Sequence, residues 1–365
     1  MKPSGFGGAE EGEGRFKVDR RSLLTGLAAV GAFLVVDLGA VAYANNWIRP
    51  AGAFTRQTII DALRATYGVH PGFRKNHAKG VAVTGFFDSN GNGAALSSAE
   101  VFTRRRTPVL GRFSLAGGDP AIEDSLTAAR GLGLAFGLTG AQQWRTAMLN
   151  LPVFPDNSAH GFYERILASK VVPGTGKPDP AAMERFLAAH PETAAAMAVI
   201  KAHPPTPGFA DSTFSGLNTF LFTDRAKRVT PVRWSLVPEQ AALPARPGRD
   251  GLFDALVRQL RSTPLRWRME IVVGESADPI DDATLPWPAE RRRVDVGTVT
   301  LTGAQTEAPG NARDVNFDPL VLPTGIAPSA DPLLSARSST YAASYHLRTG
   351  EPTTPSAVQV DEVVQ

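Results

Sequence analysis

Residues 74–87 read Arg74-Lys75-Asn76-His77-Ala78-Lys79-Gly80-Val81-Ala82-Val83-Thr84-Gly85-Phe86-Phe87. The second half of this stretch decides the fold class. β-Branched and aromatic residues follow one another without helical spacing, which predicts a strand. A Gly/Asn-rich turn at 89–93 follows. The runs Val101–Arg106 and Pro108–Ser114 then predict further strands joined by hairpins. Outward from this block the signals alternate. Ile59, Leu63 and Tyr67 recur at four-residue intervals in 55–67 and predict an amphipathic helix. Residues 179–202 predict two helical pieces split at Pro191, 251–261 another helix, and 334–347 a last one after a proline-rich loop at 318–333. Strands are predicted at 218–223, 229–237, 267–273 and 294–301, whereas 121–138 is ambiguous by periodicity. The sum is an α+β fold, an antiparallel sheet with helices on its outside or ends.

Composition removes several function classes. The 365 residues contain no cysteine, which excludes a disulfide scaffold, a zinc ribbon, a cysteine-ligated cluster and a thiol nucleophile. A net charge of +3 is too small to argue for nucleic acid, so no nucleic-acid partner is expected. Hydrophobic residues at 43% and charged residues at 20% are a globular balance.

The first 44 residues carry a different message. Arg20-Arg21 precede an apolar run from Leu23 to Ala44 that closes on Ala42-Tyr43-Ala44. This resembles a twin-arginine export signal with a signal-peptidase site. A membrane anchor through 23–44 is the alternative, disfavoured by Asp37, which costs about 2.5–3.5 kcal/mol at a bilayer centre. Either reading places the protein outside the cytoplasm, in the periplasm. The expected organisation is an export segment at 1–44, an N-terminal helical arm at 45–62 and one domain at 63–365.

Two motifs fail on inspection. Asp88-Ser89-Asn90-Gly91-Asn92-Gly93 starts like a calcium loop, but position 99 is Ala where a bidentate Glu is needed. Gly174-Thr175-Gly176-Lys177 lacks the first Gly of a phosphate loop, and Pro178 stands where Ser or Thr belongs.

What holds is a series of blocks in order. Arg74-x-x-His77-Ala-Lys-Gly80 is followed by Arg106–Ser114, Ala129-Arg130-Gly131 and Trp144–Phe154. Phe317-Asp318-Pro319, Asp331-Pro332-Leu333 and Arg337-x-x-x-Tyr341 complete it. Together these resemble the catalase family over about residues 60–348. The resemblance implies a catalase-like antiparallel β-barrel, with haem (expected as haem b) between the barrel and a C-terminal helix. It implies that His77 and Asn150 are the distal catalytic pair, that Ser114 orients His77, and that Tyr341 ligates the iron. Arg74, Arg112 and Arg348 match the arginines that pair with the haem acids. Arg337 stands beside the ligand, and Phe154 and Phe162 match aromatics over the haem and in its channel. The chemistry is coherent: a phenol keeps its proton to about pH 10, so a phenolate ligand needs a ferric ion and an adjacent permanent cation. A neutral imidazole suits proton transfer between peroxide oxygens.

The departures decide the activity. Only 24 residues follow Tyr341, Asn76 stands where a small apolar residue is usual, and Leu149 replaces the first Asn of the usual pair. The pattern looks like the small catalase-related peroxidases. The expected activity is reduction of hydrogen peroxide or organic hydroperoxides by an organic electron donor, through compound I. The alternatives are a true catalase, a hydroperoxide-rearranging enzyme on the same core, and a haem-binding protein without turnover.

Overall fold

The computed structural model describes residues 54–125, 129–140, 142–245 and 248–363. The expected export segment, the anchor at 23–44 and most of the arm lie outside the described residues. Thr55–Gln365 forms one compact unit. The helix expected in 55–67 is α1 (Arg56–Tyr67), so the boundary expected at 62/63 falls inside a helix of that unit.

Ten strands form one antiparallel sheet: β1 (Gly80–Ser89), β2 (Arg106–Leu115), β3 (Arg130–Gly137), β4 (Gln143–Leu149), β5 (Phe214–Ser215), β6 (Phe220–Thr223), β7 (Val229–Pro238), β8 (Leu265–Val273), β9 (Arg293–Gln305) and β10 (Ile326–Pro328). Neighbours run β7-β5-β4-β3-β2-β1-β9-β8, and β8 pairs back onto β7. Eight strands therefore close into a barrel, which removes the free edges an open sheet would expose. β6 and β10 extend it from β7. The antiparallel barrel with surrounding helices is the expected fold.

Strand periodicity divides each side chain's destination. On β2, Val109, Phe113 and Leu115 enter the core, where Phe113 packs 5.7 Å from Phe214 and 5.9 Å from Trp267 between ring centroids. The alternate residues Arg112 and Ser114 point to the outer face. On β3 and β4, Leu132, Leu134, Phe136, Trp144 and Met148 go inward, Phe136 stacking on Trp144 at 4.8 Å. That leaves Gly131, Gly133, Ala147 and Leu149 on the outer face, with Ser114 opposite Gly131 and Gly133 opposite Arg112 and Ala147.

The β1–β2 connection differs from the hairpins expected. Residues 92–95 and 100–102 form 3-10 turns instead of a strand. Val101 and Phe102 are fully buried in the barrel core, and the Phe102 ring lies on Gly93, where a Cβ would meet it at 2.5 Å. Apolar side chains close the barrel end here. Within the ambiguous stretch, Arg130–Gly137 forms β3.

Five of the six described helices fall where their patterns predict. α2 (Ala159–Ala168) was not apparent from the sequence; Ser158 caps it by accepting from the Gly161 amide. α3 (Pro180–Ala189) and α4 (Pro191–Ala202) split at Pro191, where the ring is tolerated as a first helical residue. α5 (Gly251–Ser262) buries one face on the barrel. α6 (Pro332–Thr349) starts at Asp331, whose carboxylate accepts from the Leu333 amide at 2.9 Å. α1 and α2 pack through Ile59, Ala62, Leu63 and Ile166. Among the described residues no helix is long and apolar enough to cross a membrane.

Candidate active site

A cavity of about 320 Å³ lies between the outer face of β2–β4, helices α1 and α2, and α6. Its wall on α6 is a 3.6-residue stripe that includes Arg337, Tyr341, Ser344 and Arg348, because residues three and four apart share a helix face. Opposite them stand His77, Ser114, Gly131 and Gly133. The structure thus brings together nine of the ten residues singled out from the sequence. Asn150 is the exception.

His77 precedes β1 with φ +57°, a left-handed conformation that non-glycine residues rarely adopt. Three contacts hold it there. The Asn76 side-chain oxygen accepts from its amide at 3.0 Å, Arg112 Nη1 donates to its carbonyl at 2.8 Å, and its ring Nδ1 lies 3.0 Å from Ser114 Oγ. Burial first, then the charges of Arg112, Arg74 and Arg337, lower the ring's pKa to about 3. The imidazole is neutral at physiological pH, and among the described residues Nε2 has no protein partner. Gly131 is required beneath it: a Cβ would stand 2.8 Å from Ser114 Oγ and 3.1 Å from the ring.

On the other wall, Arg337 lies one helical turn before Tyr341, its guanidinium carbon 5.8 Å from the phenol ring centroid. Arg337 donates to the Ala147 carbonyl at 2.9 Å and to Asn218 Oδ1. Asn218 in turn donates to Asp331 at 2.7 Å. Asp331 is held above the usual carboxylate range by burial, which outweighs these hydrogen bonds. The Asn218–Asp331 brace fixes the cation beside the phenol. No spacing in the sequence links these two residues to Arg337.

One end of the cavity collects Arg74, Arg112 and Arg348. Arg112 is 3% exposed and forms a two-point pair with Glu307, both contacts at 2.8 Å. Burial raises the Glu307 carboxyl, but Arg112, Arg74 and Arg348 outweigh it and hold it below its ordinary value. Arg74 is pushed well below the usual arginine range by burial and by its cationic neighbours Arg112 and Arg348, and Arg348 to about 10 by burial and by Arg112. Arg74 donates to the carbonyls of Ala312 and Val315, and Arg348 to those of Arg313 and Val315. Arg348 Nε is buried without a hydrogen-bond partner. Three guanidiniums with one carboxylate leave a surplus of two positive charges, an arrangement that fits a ligand bearing two acids. Beside it the Phe317 ring lies directly on Gly133, where a Cβ would stand 2.8 Å from the ring. A phenol oxygen, a dianion clamp and an apolar, aromatic wall together fit haem.

Two expectations change. Asn150 follows β4, and its side-chain oxygen accepts from the Arg130 amide at 2.7 Å, closing the strand end. It does not line the cavity; Leu149 does, because Leu149 shares the outer face with Ala147. Arg112 is already engaged by Glu307 and by the His77 and Ala78 carbonyls, so Arg74 and Arg348 are the freer cations. Phe154 and Phe162 line the cavity with ring centroids 6.2 Å apart.

The barrel and its outer cavity define a β-barrel protein of the catalase type. It superposes on a fungal catalase with a TM-score of 0.67 at 20% identity, covering 79% of this chain and 63% of that one. Catalase A of Saccharomyces cerevisiae gives 0.66 at 21% identity, over 76% and 61%. The chain thus spans about three-fifths of those catalases. The catalase family model matches residues 71–245. A catalase-related peroxidase of Synechococcus elongatus is 37% identical over 88% of this chain and 96% of its own. One from Mycolicibacterium paratuberculosis is 31% identical over 82% and 96%. This chain belongs to the catalase family.

Proposed function

We propose that the protein is an exported haem peroxidase that reduces a hydroperoxide at the expense of an organic donor. The net reaction is ROOH + 2 AH → ROH + H₂O + 2 A•, with R an alkyl group or hydrogen. The observation that carries it is the facing arrangement, in one cavity, of neutral His77 on Ser114 and Tyr341 beside Arg337, with a dicationic surplus at one end. The resemblance to two catalase-related peroxidases over nearly their whole length supports peroxidase over dismutase turnover.

Tyr341 would ligate the haem iron, and Arg74 and Arg348 would hold its acids. When bound, haem supplies the redox chemistry that breaks the O–O bond. The remaining work belongs to side chains. Ser114 holds the imidazole through Nδ1, so Nε2 is presented to the cavity. A neutral imidazole there takes the hydroperoxide proton and returns it to the departing oxygen. Arg337 stabilises negative charge on the phenol oxygen. Ile59, Leu63, Phe154 and Phe162 keep the approach apolar, which limits water at the reacting oxygens. Export rests on Arg20-Arg21 and the apolar run after them.

The test compares donor oxidation with oxygen release from hydrogen peroxide. Donor-dependent peroxide consumption abolished by His77→Ala is expected. Vigorous oxygen evolution without donor would overturn the peroxidase reading.

A further inference from the structure

With Asn150 turned away, the cavity holds a second polar side chain next to His77 that the family resemblance does not assign. Asn76 lines it. Its Oδ1 accepts two main-chain hydrogen bonds, from His77 N at 3.0 Å and Gly117 N at 2.9 Å. Both partners are donors, so the atom facing them is the oxygen and the amide orientation is fixed by the network. The NH₂ group therefore points away from these two amides. Among the described residues Nδ2 has no hydrogen-bond partner and is not a buried orphan, and Asn76 itself lines the cavity beside His77. The loop cannot swing: Ala78 N donates to Gly117 O at 3.0 Å, and Gly118 packs where a Cβ would meet the Lys75 carbonyl at 2.6 Å.

We propose that Asn76 is a catalytic residue, the hydrogen-bond donor to the peroxide oxygen that leaves. The Leu149 side chain offers no donor on the β4 wall, and His77 alone cannot both take the inner proton and hold the outer oxygen. Asn76 Nδ2–H donates to the outer oxygen as the O–O bond breaks, and His77 delivers to it the proton taken from the inner oxygen. The leaving group departs as water or an alcohol; haem would supply the two electrons for that cleavage, and two donor molecules would then restore them with two protons, releasing the retained oxygen as water. A fixed donor aimed at a developing oxyanion stabilises it without reorganisation, as a carboxamide does for acyl transfer. This rests on reading the cavity as a peroxide site.

The test uses the haem-loaded protein. Asn76→Asp keeps the oxygen that holds the two main-chain amides and removes the donor. We expect the bimolecular reaction with hydroperoxide to fall about 10²-fold, and the infrared C–O stretch of the reduced, CO-bound protein to rise as a positive group near the ligand is lost. Asn76→Val should lose the same rate, and adding Leu149→Asn to it should restore at least ten-fold by returning a carboxamide to the wall. A rate within three-fold of the parent with an unmoved C–O stretch in Asn76→Asp, or no recovery in the double variant, would overturn the assignment. The His77→Ala control separates the two readings. If it leaves peroxide turnover intact, the proposed function fails, while the C–O stretch still reports whether Asn76 donates into the cavity.

Discussion

Replacing Glu307 by Gln removes the carboxylate that pairs with Arg112 at the arginine end of the cavity. In the parent, Arg112 gives Nε and Nη2 to the two oxygens at 2.8 Å each, with Glu307 only 9% exposed. The amide can accept through one oxygen alone, and it leaves the buried Arg112 guanidinium without its paired charge. Breaking one partner of a buried pair costs about 3–5 kcal/mol. For a unit of about 300 residues the unfolding entropy is about 0.6 kcal/mol/K, so the melting midpoint should fall about 5–8 °C. Haem acids would partly replace the missing charge, so the drop should be larger in haem-free protein than in loaded protein. The pH dependence follows from linkage. Glu307 titrates lower in the folded state than in the unfolded one, so its contribution is fully present above the unfolded carboxyl range near pH 4.3–4.5. It is lost as pH falls through the lower folded value, and parent and variant should then converge. Calorimetry on both forms from pH 3 to 7 is the assay. A midpoint within 1 °C of the parent at pH 7, or a difference that persists unchanged at pH 3, would mean that Glu307 does not neutralise Arg112.

Other consequences are open to measurement. His77 is neutral until about pH 3 in the folded chain, so the hydroperoxide reaction in stopped flow should be flat from pH 5 to 8. The same depressed value means the unfolded chain binds the extra proton below about pH 6.5. This residue therefore costs stability as pH falls from there towards 3. Ser114→Ala removes the partner of Nδ1, and the loss of one hydrogen bond, worth about 0.5–1.5 kcal/mol, should slow that reaction about two- to ten-fold. Gly131→Ala puts a methyl 2.8 Å from Ser114 Oγ, so it should lower peroxide reactivity more than Ser114→Ala while costing about 1–3 kcal/mol in a denaturant melt. Asn218→Ala frees Arg337 from its brace to Asp331 and should alter the visible spectrum of the haem-loaded protein without releasing haem.

Periodicity explains what was legible. The alternation on β2 sends Phe113 inward and Arg112 and Ser114 outward, and the stripe from Arg337 to Arg348 shares one helix face. Both follow from local geometry, so the sequence pattern located them. The distal wall turned on a finer point, the last residue of β4. Leu149 is paired with Gly131 and faces the cavity, whereas Asn150 falls one position later, reverses face and closes the strand against Arg130. A one-residue offset changes the side on which a strand residue lies. Glu307, Asn218 and Asp331 meet their arginines across 195, 119 and 113 residues of separation or through one another, and no short-range signal announces such contacts. The buried Val101-Phe102 turn carries a strand-like apolar pattern because its residues serve the barrel end.

The proposed function requires His77 and Tyr341 to face each other across haem. The absorption spectrum of the purified, haem-loaded protein, recorded before and within a second of adding one equivalent of hydroperoxide, tests it most directly. The expected result is a ferric haem spectrum that Tyr341→Phe changes and that peroxide converts within that time only when His77 is present. A protein that takes up no haem, or one whose spectrum and peroxide response survive both substitutions unchanged, would contradict it.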